Sequence, residues 1–451
     1  MSQIQFSSPI YSDQIQNIQA LLMKLHGLEG LVYLHNQGEF IIGFLPHTCW
    51  TIQNQTIYRS VRLNFNQYQK SIIKNLDELK NQFHLNNKNL ESQFTGGIMG
   101  FVSYDYAVTQ HVELRQMQQQ PSAYFGLYLS YLKYQHGQWF FYSQEKNAQS
   151  LFDEIQQRLQ QTSSNTTSKF SLNTPCHARW TLQNYQHAFQ KVQDYIVAGD
   201  CYQINLTQEF NAEAEGLLLE VADQFWQLTN APYAGYFACN DFELLSCSPE
   251  LFIEFESERK IVTKPIKGTM PRHSDPVLDQ ASKDTLSHSK KDQAENVMIV
   301  DLLRNDLSIY AEIGSVKTPK LFEIESFNQV HHMVSEVTAT LKESIHPFDV
   351  LMATLPGGSI TGAPKIRAMQ IIDELEQAPR GAYCGSLGYF NLNGTGSWNI
   401  LIRSLQKYQN NVSLWAGGGV TIASDCDAEY QECFDKVSAM LDLLNTCYQP
   451  K

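Results

Sequence analysis

Short apolar runs broken by polar turns recur along the 451-residue chain and predict strands over much of its length. "GLVYLHNQGEFIIGFLP" sets two such runs on either side of a turn at Asn36 to Gly38, and "AYFGLYLSYLKY" followed by "QWFFYSQ" predicts more of the same. Leu251, Phe252, Ile253 and Phe255, then Ile261 and Val262, read as two strands separated by the charged turn Glu256 to Lys260. Helical spacing appears where Phe189, Val192, Tyr195 and Ile196 line up before a stop at Gly199. "KKDQAENVMIVDLLRNDLS" predicts a helix with Glu295 on the face of Met298, Ile299 and Leu302. "SDCDAEYQECFDKVSAMLDLL" predicts another, with Glu429 and Glu432 facing one way ahead of Phe434, Val437, Met440 and Leu441. "LPGGSITGAPKIRAMQIIDEL" leads a glycine-rich loop into a helix whose first position suits Pro364. "LWAGGGVTIASD" reads as a strand broken by Gly417, Gly418 and Gly419.

The regular strand-then-helix alternation of a doubly wound sheet is absent, and so is any repeat of about 20 to 50 residues, which points to an α+β fold with mostly antiparallel sheets. The polar stretch 156–175 reads as a surface loop or linker after a helix. It divides the chain into an N-terminal part, 1–170, and a second part, 171–451, expected to pack together as one complex domain. Asn165-Thr-Thr within it matches a glycosylation acceptor, which has no meaning without a secretory signal.

Composition narrows the function classes. Hydrophobic residues make up 43% of the chain and charged ones 18%, an ordinary globular balance with enough apolar material for a large core. No run nears the ~20 apolar residues of a membrane span, and "MSQIQFSSPIYSDQ" lacks the regions of a signal peptide, so a cytoplasmic protein without membrane contact is expected. Nine cysteines stand singly with no C-x-x-C pair, which fits a reducing compartment. A net charge of −13 without any lysine or arginine cluster argues against nucleic acid. An anionic ligand must then be held by local cations, by backbone N–H groups or by a metal ion.

Several stretches could supply such a site. Glu295 aims a carboxylate along an apolar stripe, where it needs a cation, a proton or a metal unless it simply stays wet at the end of the stripe. Glu429 and Glu432 could equally be acids favoured by a helix N-terminus. The three glycines either admit a ligand close to the backbone or make a bulge. The start of the helix after Pro364 suits an anion, but Ala363 and Pro364 stand where a Walker A loop needs Lys and Ser or Thr, so an NTPase reading is poor. Arg403 could clamp a carboxylate with two parallel hydrogen bonds, and Tyr389 is a further polar candidate. Of His331 and His332, adjacent on a strand, at most one reaches a given site. "PIKGTMPR", residues 265–272, places Lys267 against a glycine turn at the end of an apolar run, where a solvated lysine and a functional amine are both open.

The stretches taken together resemble one family. "CSPELFI", "PIKGTMPR", "AENVMIVDLLRND", "VHHMVS", "PGGSITGAPKIRAM", "GSLGYFN" and "AGGGVTIASDCDAEYQECFDK" are similar, in order and spacing, to the chorismate-utilising enzymes, the large subunits of anthranilate, isochorismate and aminodeoxychorismate synthases. "FTGGIMGFVSYDYA" and "AGDCYQINLTQEF" extend the likeness upstream. The lysine of "PIKGT" resembles the aminodeoxychorismate branch; anthranilate synthases typically carry alanine there.

The resemblance implies a large α/β/β/α sandwich of two antiparallel sheets with outer helices. It implies chorismate as substrate, Lys267 as nucleophile, Glu250 as general acid and His332 beside the leaving hydroxyl. Glu295 and Glu432 map onto magnesium ligands, with Glu429 as a water-mediated or secondary ligand. Arg403, Tyr389 and the backbone at Gly417, Gly418 and Gly419 correspond to a carboxylate pocket, to which Thr361, Lys365 and Thr269 are also assigned. The closest stretch to a glutaminase elbow, "GAYCGSLG", has Ala382 in place of the first glycine, so ammonia is expected from a separate glutamine amidotransferase subunit. In some members the N-terminal part carries a tryptophan pocket; here "GLVYLHNQG" occupies that region and departs from the pattern.

Overall fold

The computed structural model describes residues 6–11, 17–85, 93–161, 169–326 and 330–450. Two antiparallel sheets, of 13 and 12 strands, form the body of the molecule. The first runs from Phe6–Pro9 through Leu31–Asn36, Tyr233–Cys239, Phe242–Ser248 and Ser404–Tyr408 to Asn411–Val420 and Gln203–Glu215. The second runs from Ile266–Pro271 at one edge through Val330–Thr340, Leu251–Phe255, Gly396–Asn399 and Gly97–Val102 to Gln67–Ile73. Each sheet thus takes strands from both sides of residue 170. Helices Leu182–Val197, Lys365–Glu376 and Cys426–Asp435 pack on the first sheet, and Pro276–Ser287 and Lys290–Ser308 on the second. This is the α+β sandwich expected from the sequence.

Aromatic side chains bridge the sheets. Phe101 and Tyr124 of the second sheet meet Phe237 and Phe242 of the first with ring centroids 4.8 to 5.3 Å apart, all fully buried. Each such ring contributes about 1.5 to 3 kcal/mol by burial, so the apolar alternation of these strands fixes how the sheets face.

Local features depart from the sequence reading in five places. The glycine run does not break its strand: register holds from Ile204 opposite Val420 to Glu213 opposite Asn411. A Cβ at Gly417 would lie 2.1 Å from the Leu206 carbonyl oxygen, so glycine there permits close strand approach. The expected helix through Phe434 to Leu441 is two, Cys426–Asp435 and Ser438–Asn445; the break at Lys436 lets its amine turn back to the Gly417 carbonyl, 2.8 Å away. Pro364 caps the helix Lys365–Glu376 from outside rather than opening it. Gly268 makes no turn: it sits inside the strand Ile266–Pro271 as a bulge with φ of 76°, where register shifts between Lys267 and Thr269. Of the polar stretch 156–175, the first part belongs to the helix Ala148–Gln160, and residues 162–168, with Asn165, lie outside the described residues.

A buried ion pair ties the region beneath the glycine strand. Arg380 and Glu376, each 1% exposed, meet through two bonds of 2.7 and 2.8 Å. Arg380 also donates to the carbonyls of Asn205 and Ile360, while Glu376 accepts from the Thr207 backbone N–H and hydroxyl. Removing one partner strands a charge in the interior. Glu376→Ala is expected to lower stability by about 3 to 5 kcal/mol, and Glu376→Gln by clearly less, as measured by urea unfolding.

Candidate active site

The chain crosses between the sheets at two neighbouring places, and both crossings carry a charged side chain. Phe242–Ser248 of the first sheet continues through Pro249 and Glu250 into Leu251–Phe255 of the second. Gly396–Asn399 of the second returns through Ile400 to Arg403 into Ser404–Tyr408 of the first. The crossings hold each other: Ile400 N donates to Glu250 O at 3.1 Å, and Cys247 N to Arg403 O at 3.1 Å. Arg403 takes a left-handed backbone, φ of 49°, to make its turn.

Beside this seam lies a cavity of about 360 Å³, within the size range of small-ligand sites. Lys267 and Thr269 reach it from the bulged edge strand, His332 from the strand paired with it. The bulge requires Gly268, since a Cβ there would come within 2.8 Å of Asp292 on the neighbouring helix. The Lys267 amine points at the Ser359 carbonyl oxygen, 3.4 Å away. Although part of its surface opens on the cavity, it is enclosed by protein, and this desolvation holds its pKa below the ordinary lysine value against the attraction of Glu295 and Glu250. Burial pushes the Glu250 carboxyl up to about 7, with Lys267 the main opposing influence. His332, bonded through Nδ1 to Thr269 Oγ1 at 2.8 Å, is brought down to about 4 by burial and the nearby Arg403, so its ring is neutral near pH 7.

Three carboxylates form the opposite wall. Glu295 projects from the helix Lys290–Ser308, Glu429 and Glu432 from Cys426–Asp435. Helix-capping Ser289 and Asp425 fix the two helix starts. Burial raises the pKa of Glu295 and of Glu429. Glu429 Oε1 accepts from Ser424 at 2.7 Å, while its Oε2 is buried without a partner. Glu429 and Glu432 lie over Gly418: a Cβ there would be 2.8 Å from one carboxylate and 3.1 Å from the other. Lys436 pairs with Glu432 at 2.6 Å.

Among the expected site residues, Glu250, Lys267, Thr269, Glu295, His332, Arg403, Gly417, Gly419, Glu429 and Glu432 line this one cavity. Gly418 stands behind the carboxylates. Three are elsewhere. Strand alternation turns Tyr389 into the core between the sheets, where its hydroxyl donates to Glu39 at 3.3 Å and its ring meets Phe94. Thr361 is fully buried and donates to the carbonyl of Gly357. Lys365 is held by Asp306 at 3.2 Å and the Thr354 carbonyl at 2.7 Å. Conversely, the cavity includes Asn205, Tyr383, Trp415 and Lys436, which sequence reasoning did not single out. Only Lys436 carried a local signal, its spacing of four from Glu432.

The raised Glu250 pKa has a stability consequence. Between about pH 4.5 and 7 the folded chain keeps a proton that the unfolded chain has released, so this group's contribution declines as pH rises through that window. Glu250→Gln is expected to melt a few degrees above the parent at about pH 8, with the gap closing below about pH 4.5, as followed by calorimetry across a pH series.

Comparison with known proteins follows this geometry. A family model described as chorismate binding enzyme matches residues 34–442. Aminodeoxychorismate synthase component 1 of Salmonella typhimurium is 46% identical over 276 residues, 61% of this chain and 61% of that protein, so the match spans less than two thirds of its length. Its counterpart in Klebsiella aerogenes is 41% identical over 361 residues, 78% of each. Anthranilate synthase component I from Streptococcus pneumoniae superposes with a TM-score of 0.77 at 27% identity, covering 89% of this chain and 92% of that one.

Proposed function

The chain belongs to the chorismate-binding enzyme family, and we propose that within it the chain acts as an aminodeoxychorismate synthase component 1, converting chorismate and ammonia to 4-amino-4-deoxychorismate on the way to para-aminobenzoate and folate. One observation carries the reading: a lysine amine held below its ordinary pKa opens into the same cavity as a carboxyl held at about 7.

In this reading uncharged Lys267 attacks C2 of the ring, the double bonds shift, and the 4-hydroxyl leaves as water with the proton of Glu250. Ammonia then adds at C4, the double bonds shift back, and the C2–nitrogen bond breaks to free the lysine. Two easier displacements replace one hard one. At an ordinary pKa of ~10.4 about one lysine in a few thousand is uncharged near pH 7, equivalent to about 4.6 kcal/mol, and desolvation of Lys267 reduces that cost. Glu250, titrating at about 7, is protonated often enough at neutral pH to act as acid. Neutral His332 stands ready to hydrogen-bond the leaving oxygen. In this reading Arg403 and the backbone of Gly417 and Gly419, which line the same cavity, bind the enolpyruvyl carboxylate.

The carboxylate wall fits a magnesium ion. Among the described residues no group of three or more His, Cys, Asp or Glu side chains is arranged to hold a metal ion by itself. Magnesium, which keeps several waters, asks for one or two carboxylates, and the unpartnered Glu429 Oε2 beside Glu432 and Glu295 provides them. Bound there, it would neutralise the wall and the substrate's ring carboxylate.

The nitrogen comes from a separate glutamine amidotransferase subunit. Cys384, in the stretch closest to a glutaminase elbow, is fully buried with its thiol pushed up to about 12, unsuited to nucleophilic work. The name "component 1" in the relatives supports a second subunit. No helix among the described residues is long and apolar enough to cross a membrane.

Mass spectrometry of the product from chorismate, magnesium and ammonium tests the reading. A 4-amino product supports it; anthranilate or isochorismate overturns it. Lys267→Ala is expected to cut turnover by roughly three orders of magnitude while chorismate still binds, and unchanged turnover would refute the nucleophile. Glu295→Gln and Glu432→Gln are expected to shift the magnesium titration to higher concentration together with the chorismate KM.

A further inference from the structure

The helix Lys365–Glu376 opens on a lysine whose amine is committed on two sides. Lys365 Nζ donates to the carbonyl of Thr354, the last residue of the helix Pro347–Thr354, at 2.7 Å, and to Asp306 of the helix Lys290–Ser308 at 3.2 Å. One side chain therefore ties the two ends of the loop Leu355–Pro364 to each other and to the helix that carries Glu295. Both charged partners are mostly buried, 12% and 14% exposed, so solvent screens the pair little.

That loop forms part of the cavity wall, through Ser359 and Ile360. Its turn Gly358–Ile360 lies against the helix Lys290–Ser308, where a Cβ at Gly358 would stand 2.2 Å from Leu302 Cδ2. The Ile360 carbonyl accepts from Asn205 at 3.0 Å and Arg380 at 3.1 Å, whereas the Ser359 carbonyl faces the Lys267 amine, 3.4 Å away. Among the described residues no other acceptor lies within hydrogen-bond distance of that amine.

An uncharged amine has one lone pair, and the N–H that a carbonyl holds decides where that lone pair points. The placement of Ser359 is thus part of the aim of Lys267, and a displacement of about 1 Å at a reacting centre costs up to about a hundredfold in rate. We propose that Lys365 is a positioning residue: by clamping the ends of its loop onto Asp306, it keeps the Ser359 carbonyl where it orients the Lys267 amine. The proposal rests on the reading of Lys267 as nucleophile. A clamp with only a structural role would change the amount of folded chain and leave each folded chain as fast as before.

The full chain is assayed with chorismate, magnesium and ammonium chloride, with turnover expressed per folded chain from the area of the calorimetric unfolding transition. Lys365→Met, similar in length and without the charge, is expected to lower kcat about thirtyfold while the chorismate KM changes less than about threefold. Lys365→Arg, with donors for both Asp306 and a carbonyl, is expected to recover kcat to within about threefold of the parent. An unchanged kcat per folded chain in Lys365→Met, a chorismate KM rising in step with the loss, or an arginine variant as slow as the methionine one overturns the assignment. Should Lys365→Met fail to fold, Asp306→Asn keeps the shape, weakens the same pair and faces the first two criteria. Arg367→Met breaks the more exposed pair of Arg367 with Asp200 on the same helix and is expected to leave kcat alone. A parent whose Lys267→Ala variant turns over normally would remove the nucleophile reading, and this inference with it; a parent that needs Lys267 but is indifferent to Lys365→Met removes the inference only.

Discussion

Burial at the seam between the two sheets shifts the protonation of five groups around the cavity. The Lys267 amine, the Glu250, Glu295 and Glu429 carboxyls and the His332 ring are all displaced toward their uncharged forms, and burial is the largest cause in each case. Attraction between the lysine and its acidic neighbours opposes this without reversing it. One desolvated compartment can therefore hold an amine ready to attack and an acid ready to give up a proton, which in water would neutralise one another as an ion pair.

The scaffold produces that compartment through close backbone approach. Gly268 allows a helix to press on the bulge that presents Lys267, Gly418 allows two carboxylates to rest on a strand, and Gly419 makes room for a buried amide. Below them the Arg380–Glu376 pair ties together the carbonyls of Asn205 and Ile360, both adjacent to the cavity. A buried polar site needs this rigidity, because small displacements in a low-dielectric medium change interaction energies steeply.

The fold was legible because strand alternation is local: the runs around Asn36 to Gly38 and at Leu251 to Val262 became strands at nearly the expected residues. Most of the acidic and basic groups of the cavity were legible from family motifs. The failures share a cause, since Tyr389, Thr361 and Lys365 lie in similar motifs but their direction depends on strand parity and on partners far along the chain, Glu39 for Tyr389 and Asp306 for Lys365. Trp415 and Asn205 were missed because pairing of distant strands brings them to the cavity, and one sequence contains no record of register. The break at Lys436 depends likewise on a tertiary contact, its bond to Gly417.

The two crossings beside the cavity have a mechanical corollary. Glu250 and Arg403 ride on links bonded to each other, so their separation is insulated from sliding of one sheet over the other. Lys267 rides instead on a terminal strand with a single row of neighbours, backed by two helices. The reach of the amine and the separation of the acid from the guanidinium are therefore set by different parts of the scaffold, one by an edge strand and its two helices, the other by the bonded links.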